Sequence, residues 1–241
     1  MSHDRAGTIL LHLRRVLHAD AATASSDAQL LRRFTDVRDE AAFAALVLRH
    51  GPTVLGTCRR VLRNHHDAED AFQATFLVLA RLAGSIRKQE SLASWLYGVA
   101  FRTAMKVRRG LARRQARERQ APSRQPTEVP SELALRDLQQ VLDEEVARLP
   151  GKLRAAFVLC CLECKSRADA ARELDWNEGT LASRLAQARQ RLRQRLLRRG
   201  VSLSAALSAL ALSETGGAAA VPVLLAATTL KTAVAFAAES E

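Results

Sequence analysis

At 241 residues with 48% hydrophobic side chains, the chain is long enough to hold one or two compact domains with real cores. Lys and Arg number 37 against 25 Asp and Glu, and the net charge of +12 points to a polyanionic partner, although charge alone does not separate nucleic acid from an acidic membrane surface. Four cysteines, three of them crowded at Cys160, Cys161 and Cys164, exclude a secreted disulfide framework, and no cleavable apolar leader opens the chain, so it reads as cytoplasmic.

Aromatic residues make up only 4% of the chain, Ala, Leu and Arg dominate, and neither strand alternation nor an Asn-Gly or Asp-Gly hairpin signal is found, so the expected fold class is all-α. Residues 1–24 are a weakly patterned lead, with at most a short helix from Ile9 to Leu17. Ser26 and Asp27 cap the next helix, which turns Leu30, Leu31 and Phe34 inward. Asp39 and Glu40 open a helix carrying Phe43, Leu46 and Val47, expected to stop near Gly51-Pro52. Pro52 then starts a further helix through Val54, Leu55, Cys58, Val61 and Leu62.

Asp67 is placed to cap the helix that follows, and Phe72, Phe76, Leu79 and Ala83 recur along it as one buried face. Asp70 and Gln73 fall on the opposite side. A polar loop leads to a helix from about Ser91, which places Trp95, Val99 and Ala100 inward and then turns basic at Arg102, Lys106, Arg108 and Arg109. An acidic helix beside a basic one offers one surface to a protein and another to phosphates. These elements form a first helical domain over residues 25–112.

From Leu111 the composition changes, and residues 113–130 read as a flexible linker whose first residues extend the basic helix. Some twenty residues reach about 70 Å extended and roughly 25 Å as a relaxed coil. Residues 131–200 form a second helical domain. Leu133, Leu135 and Leu138 precede VLDEEVARLP, Arg154 to Cys164 reads as a buried helix, and Ser166 caps a short helix ending at Leu174. Asp175-Trp176-Asn177 then makes the turn of a helix–turn–helix, and Glu178 starts its second helix. Leu181, Leu185, Ala188 and Leu192 are that helix's inward stripe, while Thr180, Ser183, Arg184 and Gln187 lie outward in its first two turns. Seven arginines and no acid stand between Arg184 and Arg199, the strongest electrostatic footprint for a nucleic acid in the chain.

Two blocks of residues resemble one family. Asp70-x-x-Gln73-x-x-Phe76, followed by Ser94-Trp95-Leu96-Tyr97 and the basic run, is similar to region 2 of the extracytoplasmic-function sigma factors, the initiation subunits of bacterial RNA polymerase. Leu149-Pro150, Gly179-Thr180-Leu181, Ser183-Arg184 and Ala188-Arg189 are similar to region 4 of the same family. The blocks stand in the family's order, and the likeness covers about residues 27–197.

The resemblance implies two small helical domains, a sigma region 2 bundle and a region 4 helix–turn–helix. It also implies two partners, core RNA polymerase and promoter DNA, and leaves room for an anti-sigma protein. By the resemblance, Asp70, Gln73 and Leu77 would dock on the clamp of the polymerase large subunit, with Ala74 where relatives often carry an acid. Lys88, Gln89, Glu90 and Ser91 would form the loop that holds an unstacked base of the −10 element. Arg102, Thr103, Lys106 and Arg109 would track its single strand, with Arg102 where many relatives have Asn. Thr180, Ser183, Arg184, Gln187 and Arg191 would face the −35 element, with Ala182 where a basic residue is common and Asp175 in place of the turn glycine.

The tail, residues 201–241, lies outside the likeness. Its stretch AAAVPVLLAATTLKTAVAFAA is about one bilayer long, but Pro222, Lys231 and three threonines favour a helical appendage packed on the protein or on a partner over a membrane tether. Cys161 and Cys164 lack two further ligands, and His65-His66 reads as a water-facing pair on a polar loop, so no metal is expected. The cysteines read as buried small apolar residues. No phosphate-cradling Gly loop, carboxylate pair or nucleophile–base constellation appears, which argues against an enzyme and against a cofactor. The alternative to an initiation factor is a stand-alone helix–turn–helix regulator.

Overall fold

The computed structural model describes residues 25–62, 64–86, 91–118, 130–215 and 221–238, and among them every regular element is a helix. Helix α1 (Asp27–Val37) opens at Ser26, whose hydroxyl accepts from Gln29 N–H while the Gln29 side chain returns a bond to Ser26 N–H. Helix α2 (Glu40–Val61) opens at Asp39, which accepts from Ala41 and Ala42.

The expected break at Gly51-Pro52 does not occur: α2 runs through it as one helix. Proline there deletes the bond to the Leu48 carbonyl, and an interior proline costs about 3 kcal/mol. Phe43, Leu46 and Val47 before it and Val54, Leu55 and Cys58 after it fill the same core, and that continuous burial outweighs the lost bond.

Helix α3 (His65–Leu82) opens three residues earlier than expected. Asn64 is its cap, accepting from His66 N–H at 2.8 Å, because its side chain reaches the first free donors before Asp67 can. His65 and His66 therefore sit in the first turn of the helix, not on a loop. A single 3₁₀ turn (Ala83–Ser85) follows, and helix α4 (Leu92–Glu118) carries the basic run well past Arg109.

Helix α5 (Pro130–Ala147) begins the second half, and Pro150 opens α6 (Gly151–Phe157). The buried helix expected to reach Cys164 instead widens into a π turn over Val158–Leu162. Glu163 N–H bonds the Val158 carbonyl, five residues back, and Cys164 takes a left-handed φ of 51°. Cys160 and Cys161 are half-buried and Cys164 is exposed, so these three are not the buried core residues that the sequence suggests. Helices α7 (Arg167–Glu173) and α8 (Glu178–Leu197) form the helix–turn–helix. Tail helices α9 (Leu203–Thr215) and α10 (Val223–Ala238) complete the chain, and no described helix is long and apolar enough to cross a membrane.

Among the described residues there are two apolar cores. Phe34, Phe43, Leu46, Phe72, Phe76 and Leu79 anchor the first, and Leu142, Phe157, Leu159, Leu181, Leu185 and Leu192 the second. Helix α4 serves both, giving Leu96, Ala100 and Ala104 to the first and Ala93 and Tyr97 to the second. The two halves, expected to be held apart by a slack tether, are thus packed against each other. The tail divides between them, with α9 against α5 and α8, and α10 against α3 and α2.

Candidate functional site

Spacings of three and four residues put Asp70, Gln73 and Leu77 on one face of α3, opposite the buried stripe of Phe72, Phe76 and Leu79. Asp70 is exposed. Gln73 and Leu77 are half-buried, and Gln73 Nε2 donates to Thr228 Oγ1 of α10 at 3.2 Å. The face expected to stand free on the first domain is therefore partly covered by the tail.

On α4 the structure keeps Arg102, Lys106 and Arg109 exposed along one side, with Thr103 half-buried beside them. Arg109 Nε donates to the Met105 carbonyl. Ser91, expected among the contacts to a −10 strand, is buried: its Oγ accepts from Ser94 N–H at 3.3 Å and its carbonyl from Trp95 N–H at 2.9 Å. Its polar groups are thus committed to starting α4. Lys88, Gln89 and Glu90 lie outside the described residues. Trp95, expected inward, is half-buried against the first core, and Leu96 and Tyr97 are the fully buried pair instead.

In the helix–turn–helix, Asp175 takes the left-handed φ of 53° that the turn requires, and Asn177 Oδ1 accepts from Thr180 N–H at 2.7 Å to start α8. Leu181, Leu185, Ala188 and Leu192 point into the second core. Thr180, Ser183, Arg184 and Gln187 come together with Asn177 and Lys152 around a shallow groove of about 530 Å³. Lys152, from the first turn of α6, is a cation that sequence reasoning did not bring to this place. Arg184 is half-buried, its guanidinium stacked 3.8 Å above the Trp176 ring. Arg191 is exposed two turns further along.

The arginine run is partly neutralised at its far end. Arg199 meets Glu144 at 2.8 Å and Glu145 at 3.2 Å, and Arg195 lies 3.7 Å from Glu145. Glu144 also draws Arg108 of α4 to 3.8 Å, and its carboxyl is held below the usual range: partial burial opposes the charge, but Arg199 and Gln140 outweigh it. The positive surface left for a polyanion on α8 is carried by Arg184 and the exposed Arg189, Arg191 and Arg193, with Lys152 nearby.

Two polar clusters join the halves. Arg60 of α2 grips Asp143 of α5 with two bonds, at 2.8 and 3.1 Å, and Tyr97 O–H donates to the same carboxylate at 2.8 Å. Burial pushes the Tyr97 phenol far above its ordinary value, and Asp143 adds to the rise. Arg154 Nε donates to Ser94 Oγ at 3.1 Å beside this group. In the second cluster the fully buried His50 lies between Asp27, 2.9 Å from Nε2, and Glu163, 3.6 Å from Nδ1. Burial disfavours the imidazolium, yet Asp27 and Glu163 outweigh it and raise the His50 pKa to about 9. None of these contacts was foreseen. The one sign in the sequence was the acid triplet Asp143-Glu144-Glu145 set between Leu142 and Val146.

The comparisons with known proteins follow this division. Residues 46–117 match the family described as Sigma-70 region 2, and residues 139–192 match Sigma-70, region 4. The chain is 34% identical over 181 residues to the ECF RNA polymerase sigma factor SigM of Mycobacterium tuberculosis, covering 74% of this chain and 89% of that protein. It is 30% identical to the ECF RNA polymerase sigma factor SigE of Mycolicibacterium smegmatis, covering 78% and 75%. It is 29% identical to the RNA polymerase sigma-H factor of Pseudomonas aeruginosa, covering 70% and 92%. Among solved structures it is similar to the sigma factor RpoE in complex with the anti-sigma factor NepR from Bartonella quintana, at 24% identity and a TM-score of 0.31, covering 63% of this chain and 92% of that one. The relatives span both halves, and this chain belongs to the extracytoplasmic-function sigma factors.

Proposed function

We propose that this chain binds core RNA polymerase and directs promoter recognition, DNA opening and transcription initiation. Sigma factors are non-catalytic, and we assign this chain no reaction and a cytoplasmic place of work. Asp70, Gln73 and Leu77 would meet the polymerase clamp. Arg102, Thr103, Lys106 and Arg109 would hold the opened −10 strand, together with the segment from Lys88 to Ser91. Thr180, Ser183, Arg184, Gln187 and Arg191 would read the −35 element.

The observation that supports this reading best is the pairing of two modules of different chemistry in one chain. An acid-bearing face on α3 suits a protein, and the groove at the start of α8 suits a duplex phosphate backbone. Run-off transcription with core polymerase tests it: added protein should give promoter-specific transcripts. A protein that footprints duplex DNA alone yet yields no such transcript would be a stand-alone regulator. Within the sigma reading, Asp70→Arg should weaken core binding at least tenfold while leaving −35 duplex binding unchanged. Equal loss of both would mean misfolding.

A further inference from the structure

Helix α10 is seated in the first half, not merely resting on it. Leu225, Leu230, Ala233 and Ala237 are buried in the same core as Phe72, Phe76 and Leu79 of α3, and Thr229 is buried in line with them. The threonine hydroxyls make no demand on this apolar seat. Thr228 and Thr229 donate to the Leu225 carbonyl and Thr232 to that of Thr228, so the helix buries no unmatched donor there. Thr228 Oγ1 in turn accepts from Gln73.

The seat also has a notch. A Cβ built on Gly51 of α2 would lie 2.5 Å from Val221 Cγ2, so Val221, two residues before the start of α10, fits only because position 51 has no side chain. Along α10 itself the only charged residue is Lys231, and it is exposed, so apolar contact holds the helix down.

We propose that residues 221–238 are a built-in competitor of the polymerase: α10 occupies the α3 face on which the clamp would dock, and must leave before docking is complete. The proposal rests on the polymerase reading of α3. Asp70 stays exposed and offers the clamp a first charge contact, whereas Gln73 is engaged by Thr228 and Leu77 is half-buried against the core that α10 enters. The enzyme would then meet a chain whose affinity is reduced by the fraction of time the seat is filled.

Binding of core polymerase is compared for three proteins: the full chain, the chain without residues 216–241, and the double variant Gly51→Cys/Val221→Cys. The Cβ built at position 51 lies 3.6 Å from Val221 Cβ, a separation that suits a disulfide. Truncation should tighten binding at least tenfold. Oxidation of the double variant should weaken it at least tenfold, with recovery on reduction, while Val221→Cys alone should not respond to oxidant. Circular dichroism reports whether the truncated chain folds. If it does not, the disulfide pair decides, and equal affinity of its oxidised and reduced forms overturns the proposal. A folded truncated chain that binds no more tightly than the full chain also overturns it. Promoter-specific transcription that is insensitive to the tail would leave the sigma reading standing and remove this inference alone. Failure of every form to bind polymerase would remove both.

Discussion

Arg184 and His50 each carry a charge whose surroundings decide what it does. In sequence Arg184 is one of a run of outward arginines, but in the fold its guanidinium sits over the Trp176 ring while lining the groove at the start of α8. The stack aims the cation and limits its freedom, so its contact with a phosphate costs less side-chain entropy than that of a free arginine. Arg184→Ala should reduce affinity for a −35 duplex and lower the salt slope by about one phosphate-equivalent, as read from binding across a salt series. His50 is a charge kept inside. Its pKa of about 9 lies above the ordinary 6.5, so its contribution to stability is complete below pH 6.5 and is lost as pH rises through 9. Asp27 stays ionised across that window, held well below the usual carboxylate range by His50 and Arg49 against its burial. Glu163, also lowered, faces Lys165, whose pKa is raised above its ordinary value, so neither titrates there. Melting temperature should therefore fall between pH 6.5 and 9.5, and His50→Gln should flatten that slope.

Among the elements, what was legible from sequence was whatever local pattern dictates. The α3 stripe, the α8 stripe, the Ser26 and Ser166 caps and the left-handed Asp175 all follow from spacing or from the chemistry of one residue. What was not legible depended on partners far along the chain. Pro52 reads as a stop because its local cost is visible and the core continuing on both sides of it is not. Gln73 reads as an open contact because the helix that covers it lies 155 residues away. Gly51 is the position where this can be measured. In an exposed helix interior, Gly→Ala stabilises by roughly 0.5–1 kcal/mol. In the chain lacking residues 216–241, Gly51→Ala should show that gain in a denaturant melt. In the full chain the new methyl meets Val221 at 2.5 Å and the gain should vanish, with faster hydrogen exchange over 221–238. A gain of the same size in both chains would show that the notch does not matter.

For the whole molecule, the two halves are held together through a few buried polar contacts laid across a shared helix. Asp143 is the centre of one such group, 2% exposed at its side chain and bonded by both Arg60 and Tyr97 from the other half. Removing one partner of a buried ion pair typically costs about 3–5 kcal/mol. Asp143→Ala should lose stability of that order in urea and raise the radius of gyration seen by small-angle scattering. Asp143→Asn, which keeps the shape and one acceptor, should lose less. The closed arrangement also bears on promoter binding. Sites about one and a half turns of DNA apart are separated by roughly 50–60 Å, so on the proposed assignment α4 and α8 would have to part to engage both at once. The order of the chain adds a consequence for synthesis. The seat for α10 is complete once residue 118 has been made, but the helix that fills it follows only after residues 119–238, 120 in all. At about 5–20 residues per second, each new copy would hold its α3 face uncovered for about 6–24 s, so a nascent chain would meet polymerase more readily than a finished one.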